Sequence, residues 1–192
     1  MGELTTIALF VGMRSCEYIT VPKPGRTKIL QIRDIRFFTG NREIKRNQLQ
    51  QHYPEMVTVN FYRQKNGVKE AKITMHQAAG ALCPVRAFRS IIICILAYQG
   101  ENEYSTINTV KYGTKKVKVS SKVLLQHIRN TVSLIGEEKL GFKPNDVGIH
   151  SIRSSFAMFL ILNGIQPEIV QLQGRWKSDA FMEYIRPKVI IN

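Results

Sequence analysis

Cysteine is scarce in this sequence: Cys16, Cys83 and Cys94 stand far apart in 192 residues. Three thiols so placed make neither a disulfide framework nor a zinc site, and they suit a reducing compartment such as nucleus or cytosol. Long apolar runs are missing as well. IIICILAY (91–98) and FAMFLIL (156–162) are the longest, far short of the ~20 residues that cross a bilayer, and read as buried helix segments. The IALFVG stretch near the start has no basic region before it and no cleavage pattern after it, so no signal peptide is expected. Acidic residues number only 14, with no clustered spacing of metal ligands. No repeat, low-complexity tract or long linker divides the chain, so a single domain over residues 1–192 is expected.

What the sequence has in excess is positive charge. Lys plus Arg number 28, for a formal net charge of +14, beyond what solubility requires. Such a surface suits a polyanion. The basic residues are spread along the chain rather than gathered on one amphipathic helix, which points away from a membrane and toward nucleic acid.

Helix-like apolar spacing over 5–20 is stopped by Pro22, Pro24 and Gly25. A hairpin or a pair of short strands is expected over 28–44 around Thr39-Gly40-Asn41, and a clearer hairpin where MVTVNFY (56–62) alternates, Asn66-Gly67 turns, and 69–75 returns. Beyond it the chain reads as helical to its end, apart from an undefined basic segment after Gly100. Helices are expected over 84–98, from Ser120 or Ser121 to 135, over 150–162, from Pro167 to near Gly174, and after Ser178. The class is α+β, mainly α, with helices around a small antiparallel sheet.

Several residues can carry chemistry, though each alone has an ordinary explanation. His150 and Arg153 lie at i and i+3 and can donate to one anion, or simply form a solvated helix face. Arg14 with Glu17 reads equally as a local ion pair. Lys65 sits at a hairpin tip, where turn lysines are common. Trp176 is a core candidate whose indole N–H is a donor suited to an anionic oxygen. Tyr184, eight residues later, reads as a packed helix aromatic.

Their order along the chain is more telling. Arg14, Lys65, His150-x-x-Arg153, Trp176 and Tyr184, with spacings of 23 from Arg153 to Trp176 and 8 from Trp176 to Tyr184, resemble the catalytic domain of the tyrosine recombinase (phage integrase) family across nearly the whole chain. GMRSCEY resembles the first arginine box, with Glu17 at its acidic position. RQKNGVK resembles the hairpin of the catalytic lysine, HSIRSSFA the His-x-x-Arg box, GRW the Gly-x-His/Trp box, and YIRP the tyrosine segment. The wording RSCEY, LCPVRA, HSIRS and GRWKSDAFMEYIR is most similar to recombinases of eukaryotic mobile elements, crypton-like elements among them.

The resemblance implies that Tyr184 attacks a scissile phosphate, forming a covalent 3′-phosphotyrosine and a free 5′-hydroxyl. A phosphodiester under attack gains charge on its non-bridging oxygens. Arg14 and Arg153 offer planar forks for them, and His150 and Trp176 can complete the ring, so no metal or other cofactor is expected. The phenol, with an ordinary pKa of ~10, needs a proton acceptor, and His150 is the candidate. Lys65 is the candidate acid for the departing 5′-oxygen, with Lys69 the alternative if the turn is shifted. Double-stranded DNA is the expected partner, with Arg42, Lys45, Arg46, Lys69, Lys115, Lys116 and Lys118 as backbone contacts, although any of them can equally be part of a solvated basic face.

Family members usually add an N-terminal DNA-binding domain and assemble as tetramers on DNA. This chain begins shortly before the first arginine box, so the catalytic domain alone is expected, and self-assembly is left open. The implied function is site-specific DNA breakage and rejoining. The location is nuclear if the source is a eukaryotic mobile element, and otherwise cytoplasmic or nucleoid. Alternatives are a DNA-binding remnant of a mobile element that no longer recombines and a type IB topoisomerase-like relaxer, against which the HSIRS and GRWKSDAF wording argues.

Overall fold

A computed structural model describes residues 1–23, 27–62 and 70–184 of the chain. The first helix, α1 (Gly2–Val11), ends earlier than its apolar spacing predicts, because Gly12 turns left-handed at φ 58°. A Cβ there would lie 2.6 Å from the ring of Phe156, so the turn both needs glycine's backbone freedom and leaves room for a neighbouring helix. The chain resumes as one helical turn, α2 (Ser15–Tyr18).

Strands β1 (Ile35–Thr39), β2 (Arg42–Ile44), β3 (Met56–Tyr62) and β4 (Glu70–His76) form an antiparallel sheet in the order β2-β1-β3-β4. The register pairs Ile35 with Val59 and Phe37 with Val57, so that alternate residues Ile35, Phe37, Val57, Val59 and Phe61 are buried. Helix α3 (Pro84–Leu96), opened by a proline whose missing N–H costs nothing there, packs on β3, β4 and α1. This sheet and the two helices hold the main core, where Ile7, Phe88, Ile92 and Val57 are fully buried.

Two later helices, α4 (Ser121–Ile135) and α5 (Glu137–Leu140), precede α6 (His150–Leu162) and α7 (Pro167–Gly174). The Ser120 hydroxyl accepts the Val123 N–H to cap α4, at 3.4 Å. Helix α6 packs against α1 and, with α7, forms a second apolar cluster of Ala157, Val170 and Phe181, joined by Leu160, Ile161, Ile165, Trp176 and Tyr184. No helix among the described residues is long and apolar enough to cross a membrane.

Two further local expectations are corrected. The basic segment after Gly100 contains a ribbon, β5 (Thr109–Tyr112) paired with β6 (Lys115–Lys118), whose turn is made by Gly113 at φ 58°. Four-residue strands with lysines on both faces carry too little alternation to stand out. The ribbon base is fixed by buried Asn108, which donates to the Val119 carbonyl at 3.0 Å and to the Thr20 hydroxyl at 3.1 Å. Tyr184 lies on a 3-10 helix (Asp179–Tyr184) rather than an α-helix, held by the buried ring of Phe181.

Candidate active site

The end of α7 organises the site. Gly174 is its last residue, and a Cβ there would lie 1.5 Å from Cζ3 of Trp176, so only glycine lets the indole fold back over the helix end. The Trp176 ring sits 5.6 Å from Phe181, 6.3 Å from Phe156 and 6.2 Å from the ring of Tyr184, centroid to centroid. The Arg153 guanidinium lies over the same indole at 4.1 Å. Tyr184 is thus one ring away from Arg153, and both owe their place to Trp176.

Two consecutive carbonyls at this helix end receive two arginines. Arg153, one turn into α6 and 6% exposed, donates to the Gly174 carbonyl and to the Gly12 carbonyl. Arg14, just before α2, donates to the Arg175 carbonyl at 2.7 Å and to Glu17 at 3.1 Å. Glu17 is buried at 1% exposure and also accepts the backbone N–H of Arg14 at 2.8 Å.

A third guanidinium completes the cluster, and the sequence did not single it out. Arg175 grips Glu17 with both Nη atoms, at 3.0 and 2.9 Å, and its flat face covers Phe61 at 3.7 Å. It adopts φ 60°, and among the described residues no other non-glycine has a positive φ. Periodicity could not find it. The available signal was a basic residue directly after a helix-ending glycine, and the motif treats that place as unspecified.

Three guanidiniums therefore gather at the end of α7 near one carboxylate, and two of them, Arg14 and Arg175, bond it directly. Burial, then the neighbouring charge of Arg14, pushes the Arg153 pKa down to about 9, with Arg175 adding to the shift and Glu17 and the Tyr184 phenol opposing it. Burial likewise lowers Arg175, with Glu17 opposing. Downward shifts on buried cations mark positive charge that the protein itself does not fully compensate. Nearby, burial and Glu17 raise the Tyr18 phenol well above its ordinary range, and burial raises the Cys16 thiol, so neither is activated as a nucleophile. Tyr184 is half-exposed.

His150 opens α6 one turn before Arg153 and is exposed; among the described residues its side chain makes no hydrogen bond. Lys65 and Lys69 lie outside the described residues. Of the other basic residues, Arg42, Lys45 and Lys115 are exposed, and Arg46 is half-buried and bonds Glu103 at 3.1 Å. Lys116 bonds the Gln99 carbonyl at 2.7 Å and Glu101 at 2.9 Å, and Lys118 bonds Thr109 Oγ1 at 2.6 Å. No group of three or more His, Cys, Asp or Glu side chains able to hold a metal occurs among the described residues.

The same arrangement of elements occurs in solved structures. The Tn1549 transposon integrase in complex with transposon right-end DNA superposes with a TM-score of 0.51 and 11% identity, over 96% of this chain. The fold is that of a tyrosine recombinase catalytic domain. A second complex of that integrase, with a circular intermediate DNA, gives a TM-score of 0.50 at 12% identity over 96% of the chain. XerA recombinase aligns over 98% of the chain with a TM-score of 0.48 and 16% identity. The chain spans 53% of the integrase and 59% of XerA, a little over half of each. No family profile and no curated protein matches the sequence. At these identities the likeness is one of recombinase fold.

Proposed function

We propose that this chain is the catalytic domain of a DNA strand-breaking and rejoining enzyme that works through a covalent 3′-phosphotyrosine. The observation that carries the reading is the convergence at the end of α7, where Arg14 and Arg153 bond neighbouring carbonyls and Tyr184 stands one aromatic ring away. A buried cluster with excess positive charge next to a half-exposed phenol suits a phosphodiester.

In this mechanism the Tyr184 oxygen attacks phosphorus, a P–O(Tyr) bond forms and the P–O5′ bond breaks. The phenolic proton passes to His150, and the 5′-oxygen takes a proton from Lys65. Arg14 and Arg153 hold the non-bridging oxygens as charge builds on them, with the Trp176 N–H as a further donor. The phosphotyrosine retains the ester's energy, so a 5′-hydroxyl can reverse the step without a nucleotide cofactor. Strand exchange follows if that hydroxyl belongs to a different strand.

The excess of exposed basic residues, Lys115, Arg42 and Lys45 among them, supports double-stranded DNA as the partner through its backbone. The resemblance to recombinases of eukaryotic mobile elements makes a nuclear, mobile-element origin the reading to test after activity.

The test is adduct formation on a pool of nicked suicide duplexes of randomised sequence, resolved under denaturing conditions. The wild-type chain is expected to form a covalent protein–DNA species from part of the pool, and Tyr184→Phe none. DNA binding without any adduct would instead support a non-recombining DNA-binding protein. An equal yield from Tyr184→Phe would remove Tyr184 as nucleophile.

A further inference from the structure

Arg175 occupies a position that a turn alone would not give to arginine. Its backbone is left-handed at φ 60°, a conformation that favours glycine. Its side chain is 5% exposed, so the guanidinium has left water. A long, mobile side chain is also held in one geometry. A glycine would close α7 without any of these costs, so the compensation must lie in what the guanidinium touches.

It touches Glu17 with both Nη atoms, and Glu17 in turn holds one Nη of Arg14. The other Nη of Arg14 is held by the carbonyl of Arg175 itself, at 2.7 Å. Both ends of the Arg14 fork are therefore placed by one residue, once through a carboxylate and once directly. Arg175 is the more enclosed of the two, 5% exposed in its side chain against 17% for Arg14, with both Nη atoms on Glu17 and one face on Phe61.

We propose that Arg175 is a positioning residue for phosphate recognition: through Glu17 and its own carbonyl it sets the direction of the Arg14 guanidinium and does not itself contact the phosphate. This rests on the reading of Arg14 as a phosphate ligand. It adds that the unspecified position of the Gly-x-Trp segment is functionally specified in this chain.

The test uses Arg175→Gly, which suits the backbone, and Arg175→Lys, which keeps a charge but loses the fork. On a duplex recovered from the adduct assay, single-turnover cleavage by Arg175→Gly is expected to slow by about 10²-fold, the scale of losing one transition-state donor. The DNA concentration at half-saturation should stay within about threefold, since the many backbone contacts remain. A methylphosphonate at the scissile position removes the charge that Arg14 serves, so there the defects of Arg175→Gly and Arg14→Ala should both shrink. A merely destabilised protein would be equally impaired on both substrates, and that result, or full rescue by Arg175→Lys, overturns the proposal.

Binding of inorganic phosphate, measured by calorimetry, separates this inference from the proposed activity. Arg14→Ala and Arg175→Gly should each weaken phosphate binding, and the double variant should bind no more weakly than Arg14→Ala alone. Additive losses, or a wild type that binds no phosphate, overturn the role of Arg175. Absence of a DNA adduct alongside non-additive phosphate binding overturns only the recombinase reading.

Discussion

Replacing Glu17 by glutamine removes a charge while keeping size and shape, so no cavity confuses the result. In the wild type the carboxylate accepts the Arg14 N–H at 2.8 Å, Arg14 Nη1 at 3.1 Å and two Arg175 Nη atoms at 3.0 and 2.9 Å. Glutamine offers only one oxygen to these donors and turns an NH₂ toward a guanidinium. Breaking a buried pair from one side costs about 3–5 kcal/mol, because the remaining charge is left without its counterion. Against a total of ~5–15 kcal/mol this is a large fraction, and at ~2–4 °C per kcal/mol for a domain of this size it lowers Tm by roughly 6–20 °C. The same reasoning fixes the sign of a second experiment. Arg175→Met in the Glu17→Gln background takes away the orphaned charge, so the double variant should be more stable than Glu17→Gln alone, although it lacks more hydrogen bonds. Urea unfolding of the four proteins measures both effects. A Glu17→Gln loss under about 1 kcal/mol, or a double variant less stable than the single, would refute a buried, mutually dependent pair.

Gly174→Ala forces a Cβ into the space of Trp176 Cζ3 at 1.5 Å; a loss of about 1–3 kcal/mol is expected, together with a red-shifted emission from this only tryptophan, and an unchanged spectrum would show that the indole does not lie over the helix end. Arg153→Met exchanges an incompletely compensated buried cation for an apolar side chain, so adduct formation should vanish while Tm is kept or raised; DNA affinity at fixed salt should fall by less than about tenfold, and parallel loss of binding would remove the distinction between the chemical site and the backbone contacts. Lys115→Ala should reduce the slope of log K against log salt by about 1, whereas Lys118→Ala should change it less, because the Lys118 ammonium is held by Thr109; equal slopes would show that the internal bond is given up on DNA.

The sheet was legible because the β3 sequence alternates and faces a core, with Val57, Val59 and Phe61 buried on one side, although Thr58 on the other side is buried as well. Helices α4, α6 and α7 were legible from Ser120, Pro167 and the glycines behind them, since caps and breakers act locally. The early end of α1 was not, because Gly12 stands within apolar spacing that continues past it, and the ring of Phe156 that needs its missing side chain comes from far along the chain. Nor was the β5–β6 ribbon, held at its base by Asn108 rather than by an apolar face. Of the residues that motif order selected, Arg14, Glu17, Arg153, Trp176 and Tyr184 meet around the end of α7, His150 stands exposed one turn before Arg153, and Lys65 lies outside the described residues. What order could not convey is that Arg14 and Arg153 are satisfied internally, or that a third arginine stands behind Glu17. Both depend on carbonyls and rings contributed by separate parts of the chain.

Those carbonyls explain how three guanidiniums are tolerated near one carboxylate. Helix ends leave their last carbonyls without intrahelical partners and carry about half a negative charge. The ends of α1 and α7 meet here: Gly12 and Gly174 accept from Arg153, and Arg175 accepts from Arg14. Fixed dipoles orient the cations but cannot neutralise them, which agrees with the downward shift of Arg153. An anionic oxygen binds the same N–H groups more strongly than a neutral carbonyl does. In the proposed mechanism, arrival of a phosphate exchanges acceptors around arginines already in place. Under the proposed function the two helix ends hold the cations in place for an anion, and the charge left uncompensated on buried Arg153 favours its binding.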